Sequence, residues 1–144
     1  MTKLLLLSSL TLLSHFCFSQ SLEGEWKGSY EYVSSSAYPI NNVVKINLKF
    51  ILNNDSTYSV YSYTMGLPSK RRDTTVVCRM SGQFNKDSIY LEEIQVILPE
   101  DHPYKGFQKM FLTMDKKKKI TELKGVWACE QDNTNGTIYF SKRR

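Results

Sequence analysis

The sequence predicts an all-β protein: an antiparallel up-and-down barrel of eight strands that follows a cleaved signal peptide. Apolar and polar residues alternate with the two-residue period of half-buried strands along the chain after its N-terminal segment. Clusters of turn-forming residues separate these stretches at fairly regular spacing, and no helical period follows the N-terminal segment. Eight strands are enough for such a sheet to close, which leaves an interior filled by side chains or room for one small ligand.

The N-terminal segment, residues 1–19, is typical of a secretory signal peptide. Lys3 precedes an apolar run that starts at Leu4 and continues to Phe18. This run is shorter than the roughly 20 apolar residues of a membrane-spanning helix, and no later stretch qualifies. We therefore expect a secreted or periplasmic protein with no transmembrane segment, whose mature part, residues 20–144, is a single barrel domain. Lipidation of Cys17 is the alternative, but Phe16 stands where a lipobox has a small residue.

The charge of the chain is mild. The sequence has 19 Lys and Arg against 14 Asp and Glu, and removal of the signal peptide leaves a net charge of about +4. Charged residues are interspersed along the strands rather than pooled, so they favour solubility over nucleic-acid binding. The composition does not predict an oligomeric state.

The first two predicted strands show the alternation most clearly. Strand one, from about Leu22 to Val33, places Trp26 between Gly24 and Gly28. We expect this tryptophan to plug one end of the barrel while the glycines admit neighbouring backbone. Strand two, from Val43 to Leu52, has a continuous apolar face, formed by Val44, Ile46, Leu48, Phe50 and Leu52.

Strands three and four are less regular. Strand three, from Thr57 to Met65, mixes tyrosines with small polar residues, so its inward face stays open. Strand four runs from Thr74 to Phe84 and sets Cys78 and Met80 on its apolar face.

Strand five, from Ser88 to Leu98, changes phase in its middle. Leu91 is apolar at an odd position, whereas Ile94 and Val96 are apolar at even positions. Either a β-bulge absorbs this slip, or Glu92 points into the barrel.

The last three strands complete the predicted barrel. They extend from Phe107 to Asp115, from Lys119 or Ile120 to Glu130, and from Thr137 to Phe140. The segment from Asp132 to Gly136 contains an Asn-Gly pair, which predicts a hairpin turn with positive φ.

Connection lengths predict two different barrel ends. The connections after strands one, three and five are long, and those after strands two, four and six are short, so alternate connections give a loop-rich mouth and a tight-turn base. Trp26 would lie at the base, and a ligand would enter at the mouth. Four cationic or titratable side chains in the long loops form a predicted rim that would meet the anionic head of an amphiphile: Lys70, Arg71, Arg72 and His102.

The segment Gly24-Glu25-Trp26 resembles the Gly-x-Trp opening of the lipocalins and the wider calycin group, and Gly125-Val126-Trp127 is similar in kind. The resemblance implies an eight-stranded barrel with a small apolar ligand in its cup. It also implies that Lys142 or Arg143 packs over the plug tryptophan. The chain lacks the Thr-Asp-Tyr motif of lipocalins, and no helix follows strand eight.

Candidate ligand contacts are tyrosines and methionines of the predicted strands, together with one carboxylate. Each of these also suits an ordinary barrel core, because tyrosine and methionine pack well in strands. The candidates are Tyr30, Tyr32, Tyr63, Met80, Glu92, Met110 and Met114.

Cys78 and Cys129 are the cysteines that remain after cleavage. An exported chain with two cysteines permits a disulfide. The alternative is a pair of buried free thiols, since strands four and seven are not neighbours in an up-and-down order.

The residue pattern predicts no enzyme, no cofactor and no metal site, because no Ser, His and Asp set converges by spacing and His102 has no recognisable partner ligand. Two function classes remain. One is a carrier or sensor of a small apolar or amphiphilic ligand held in the cup. The other is a non-catalytic secreted or envelope module with a solid core, which binds a partner through its loops or its basic base.

Overall fold

The structure is a computed structural model that describes residues 22–33, 41–65, 75–100, 107–116, 120–131 and 133–143. Each strand pairs antiparallel with the next, and β8 pairs with β1, so the barrel is closed. This confirms the predicted all-β, up-and-down fold, while the predicted signal peptide lies outside the described residues. The strands are β1 (Gly24–Val33), β2 (Asn41–Leu52), β3 (Tyr58–Met65), β4 (Thr75–Phe84), β5 (Ser88–Leu98), β6 (Gln108–Lys116), β7 (Ile120–Cys129) and β8 (Thr134–Arg143).

The apolar face of β2 sets the inward face of its neighbours. Leu48 is fully buried and pairs with Trp26 of β1 and Ser62 of β3, both also fully buried. Because cross-strand partners share a face, the even-numbered residues of β3 point inward. Tyr63 pairs with the outward residue Asn47 and lies only half-buried on the outer face. The face of strand three that the sequence leaves open is thus settled, and Tyr63, a candidate ligand contact, does not point into the barrel.

A β-bulge in β5 explains the phase change seen in the sequence. Met80 of β4 pairs with Glu93, whereas Arg79 pairs with Gln95, so Ile94 is the extra residue. A second shift follows between Cys78 and Val77. The bulge alternative is confirmed. The alternative of an inward Glu92 is wrong, because Leu91 and Glu93 share the inward face and Glu92 lies on the outer one.

Strand β8 begins earlier than the sequence predicts, because Asn135-Gly136 belongs to the strand rather than to the turn. Gly136 pairs with Trp127, and the positive φ of the turn is at Asn133 (49°). A Cβ on Gly136 would lie 2.1 Å from the carbonyl oxygen of Glu31. This glycine therefore serves the close approach of β1 to β8.

Gly28 of β1 meets the same need. A Cβ there would lie 2.1 Å from the carbonyl oxygen of Tyr139 and 2.4 Å from Cδ1 of Phe140. The expectation that the glycines beside Trp26 admit neighbouring backbone is confirmed at this position.

Large aromatic side chains fill the base of the barrel, the end that carries the short turns. Trp26 is fully buried, and its Nε1 donates to the carbonyl oxygen of Leu22 at 2.8 Å. The ring of Phe50 contacts Trp26, Tyr58 and Phe84 edge-on, with centroid distances of 6.4, 6.0 and 6.3 Å. The base is thus closed from inside by interlocking rings.

Lys142 of β8 completes this plug. Its Nζ lies 5.8 Å from the centroid of the Trp26 ring and donates a hydrogen bond to the carbonyl oxygen of Glu23. The basic residue over the plug tryptophan, which the resemblance to lipocalins implies, is therefore Lys142. No helix in the described part of the chain is long and apolar enough to cross a membrane.

Candidate ligand-binding site

Polar side chains converge inside the barrel between the aromatic base and the mouth. They come from five strands, and we call them the interior polar cluster: Tyr30, Ser62, Cys78, Glu93 and Gln108. Each is at most 5% exposed. The register places them together, because Ser62 pairs with Cys78, and Glu93 pairs with Met80, the next inward residue of β4. Buried polar groups require partners, so their hydrogen bonds define the site.

Glu93 lies at the centre of the interior polar cluster. Ser62 Oγ donates to Glu93 Oε1 at 2.6 Å, and the backbone N–H of Gln108 donates to Oε2 at 3.1 Å. Burial raises the pKa of the Glu93 carboxyl above its ordinary value, and the hydrogen bonds from Ser62, Gln108 and Cys78 offset this only in part. The interior therefore holds a carboxyl group that retains its proton more readily than one in water.

Gln108 joins this carboxyl to an aromatic pair. Its backbone donates to Glu93, and its side-chain Nε2 donates to the Tyr30 hydroxyl at 3.2 Å. The Tyr30 and Trp127 rings lie 4.5 Å apart, and Trp127 Nε1 donates to the carbonyl oxygen of Glu31 at 3.1 Å. The Tyr30 and Trp127 rings thus lie beside the interior polar cluster. Small-molecule sites combine aromatic walls and a few polar groups in this way.

The described ladder between β5 and β6 ends at this cluster. The last described pair is Glu92 with Lys109, so Gln108, the first residue of β6, has no paired residue in the described β5–β6 ladder. The Glu93 carboxylate accepts the backbone N–H that Gln108 would otherwise direct at a β5 carbonyl. The side chain therefore joins the two strands where their backbones stop pairing.

Cys78 and Cys129 are buried thiols that form no disulfide, so the permitted bridge between them is absent from the structure. Cys78 belongs to the interior polar cluster, whereas Cys129 lies opposite Gln108 on β7. Burial first, and then the neighbouring Glu93 carboxylate, raise the pKa of the Cys78 thiol to about 12.

We therefore expect alkylation of denatured, non-reduced protein to label the peptides that contain Cys78 and Cys129. In native protein Cys78 should react far more slowly, because only a thiolate is nucleophilic. Peptide mass mapping provides the measurement. A cross-linked pair of these peptides that separates only on reduction would contradict the structure.

The other predicted contacts divide into three groups. Tyr30, Met80 and Met110 are buried and point into the barrel. Met114 packs half-buried against the core at the base end, where its backbone N–H donates to Asp87 O. Glu92 faces outward, where the Tyr90 hydroxyl donates to it at 3.0 Å.

The remaining predicted residues are not described. Tyr32 belongs to β1, but its side chain lies outside the described part of the chain. The predicted rim, Lys70, Arg71, Arg72 and His102, also lies outside the described residues and stays a prediction.

Sequence reasoning missed Ser62, Glu93 and Gln108 as interior residues. Glu93 continues the odd phase of Ile89 and Leu91, so extending that phase by one step would have found it. Gln108 likewise shares the even phase of Met110. Ser62 gave no such signal, because only its register against β2 places it inside.

No family model, curated protein or solved structure matches this chain. The eight-stranded closed barrel is consistent with a calycin-like architecture, and the plug of Trp26 and Lys142 adds to that likeness. Within the described residues, no three His, Cys, Asp or Glu side chains are grouped so as to hold a metal ion.

Proposed function

We propose that this protein is an exported, non-catalytic barrel of lipocalin-like type, which holds a small apolar or amphiphilic molecule between its aromatic base and its mouth. The observation that carries the proposal is the division of the interior. Aromatic rings fill the base, whereas the rest of the interior includes the fully buried polar side chains Ser62, Gln108 and Glu93.

Joining β5 to β6 needs only the Glu93 carboxylate, so a solid scaffold does not account for the whole interior polar cluster. Burying polar groups costs free energy even when they are paired, and apolar residues of the same volume usually stabilise a core as well or better. Small-molecule sites combine apolar and aromatic walls with a few convergent polar groups. Tyr30 and Trp127 supply such walls here, and the interior polar cluster supplies the polar groups.

Export rests on the apolar N-terminal run after Lys3, and it places the ligand in a secreted or periplasmic setting. The lipocalin-like assignment rests on strand number and order and on the plug. Trp26 closes the base from inside, and Lys142 covers its ring, so a ligand would enter from the opposite end.

The alternative is a solid-cored module that binds a partner through its loops or through cationic side chains at the base of the barrel. Lys142 is a cation at that end, but its Nζ is held by the Glu23 carbonyl over Trp26. Its position is explained by the plug, which favours the ligand-binding proposal.

The two tryptophans provide a test, because Trp127 borders the proposed site and Trp26 lies in the base. We expect n-decanol to change the emission of Trp127 saturably in a Trp26→Phe variant, with one ligand bound per barrel. The matched Trp127→Phe variant should show little change, since the ring of Trp26 is fully enclosed by other side chains. A response from Trp26 alone, or from neither tryptophan across apolar and amphiphilic ligands, would contradict the proposal.

A further inference from the structure

The buried carboxylate of Glu93 has no counter-ion among the residues that the structure describes. Its contacts are the hydroxyl of Ser62, the backbone N–H of Gln108 and the thiol of Cys78, and all three are uncharged. Lys109, the cation nearest in sequence on β6, faces outward and pairs with Glu130 at 2.6 Å and Glu92 at 3.9 Å.

A carboxylate that is only 2% exposed is costly to ionise unless a positive charge comes with it. Its protein partners all donate hydrogen bonds, so they orient the oxygens without neutralising them. Within the described ranges, no positive charge accompanies this carboxyl group.

The aromatic pair beside the carboxyl fits the same chemistry. The rings of Tyr30 and Trp127 lie 4.5 Å apart, and Gln108 connects Tyr30 to Glu93 through its side chain and its backbone. Aromatic faces attract cations, most strongly where water is excluded. A buried carboxylate that one residue, Gln108, links to such rings therefore suits an ammonium group better than an anion or a neutral hydroxyl.

We propose that the enclosed end of the ligand carries a protonated amine, which pairs with Glu93 inside the barrel. This rests on the proposed function, because it specifies the ligand of the same site. An anionic head could then contact only the outer end of the site, since Glu93 would repel it at the inner end.

Proton linkage follows from this pairing. The ammonium group pairs only with the ionised carboxylate, whereas burial favours the protonated carboxyl in the ligand-free protein. The affinity for the amine should therefore rise with pH, and the rise should end where Glu93 of the ligand-free protein is ionised. Among the described residues, the other titratable side chains on the inward faces of the neighbouring strands are Cys78, Cys129, Tyr30 and Tyr58. Burial raises the pKa of the Cys78 thiol to about 12. Thiols and phenols ordinarily lose their protons at higher pH than a carboxyl does, so we assign the rise to Glu93.

Matched ligands test the proposal on the full chain. Calorimetric titration with n-decylamine, n-decanol, decanoate and the neutral N-decylacetamide compares one apolar body with four heads. At about pH 7 we expect the amine to bind at least about tenfold more tightly than the other three. This comparison of ligands uses the wild-type protein alone, so its result does not depend on whether a variant folds.

Two isosteric variants locate the effect. Glu93→Gln should reduce the affinity for the amine to that for the alcohol and abolish its rise with pH. Glu92→Gln, on the outer face, should keep the wild-type preference. Equal binding of all four ligands, preference for decanoate, or an amine preference that survives in Glu93→Gln would overturn the amine proposal while leaving a ligand-binding barrel. Failure of every ligand to bind would overturn the barrel function as well.

Discussion

Replacement of Trp26 by alanine should lower the free energy of unfolding by about 3 to 5 kcal/mol, the usual range for truncating a large buried aromatic side chain. Trp26 is fully buried against Phe50, and its Nε1 donates to the Leu22 carbonyl. Truncation leaves a cavity at the base and leaves that carbonyl without this donor. It also removes the ring beneath Lys142. Equilibrium unfolding in urea provides the measurement.

Phe111→Ala is the matched control for this substitution. Phe111 is also an aromatic strand residue, but it lies 55% exposed on the outer face, so its loss should cost about 1 kcal/mol or less. The emission of Trp26 in a Trp127→Phe variant should be blue-shifted in the native state. Equal destabilisation by the two alanine substitutions, or an emission maximum typical of solvent-exposed tryptophan, would contradict the plug.

Glu93 should make the stability of the wild-type protein fall as pH rises. The folded state holds the Glu93 proton above the ordinary pKa of 4.5, at pH values where the unfolded chain has already lost it. This contribution is therefore fully present below 4.5 and is lost as pH rises toward the raised folded-state pKa. Across that window the slope should approach about 1.4 kcal/mol per pH unit.

Comparison with Glu93→Gln isolates this effect, because glutamine keeps the size of the side chain but does not titrate. The difference between the unfolding free energies of wild type and Glu93→Gln should fall with pH across the window. Glu92→Gln, which removes a carboxyl from the outer face of the same strand, serves as the matched control substitution. Parallel profiles for wild type and Glu93→Gln would show that the carboxyl titrates as it does in water.

The alternation of apolar and polar residues in the sequence predicts much of this fold. The apolar face of β2 and the Gly-Trp-Gly spacing of β1 each indicate burial directly, and both are confirmed. Connection lengths correctly placed Trp26 at the end with the short turns. These features are local, so a single sequence contains them.

The errors concern the register between paired strands, which the residues of a single strand do not determine. The inward face of β3 depends on its pairing with Leu48, and the change of phase after Glu93 in β5 depends on a bulge against β4. The Asn-Gly pair predicted a turn, but Gly136 is used where β1 passes close by. Register and close approach are set by the closed barrel as a whole, and the interior polar cluster depends on both.

Whether the barrel interior holds a small molecule can be measured directly by native mass spectrometry of the protein purified from its own source. We expect a folded species heavier than the polypeptide by one small molecule, with the excess mass lost on denaturation. A folded species with only the mass of the polypeptide in every preparation would contradict it.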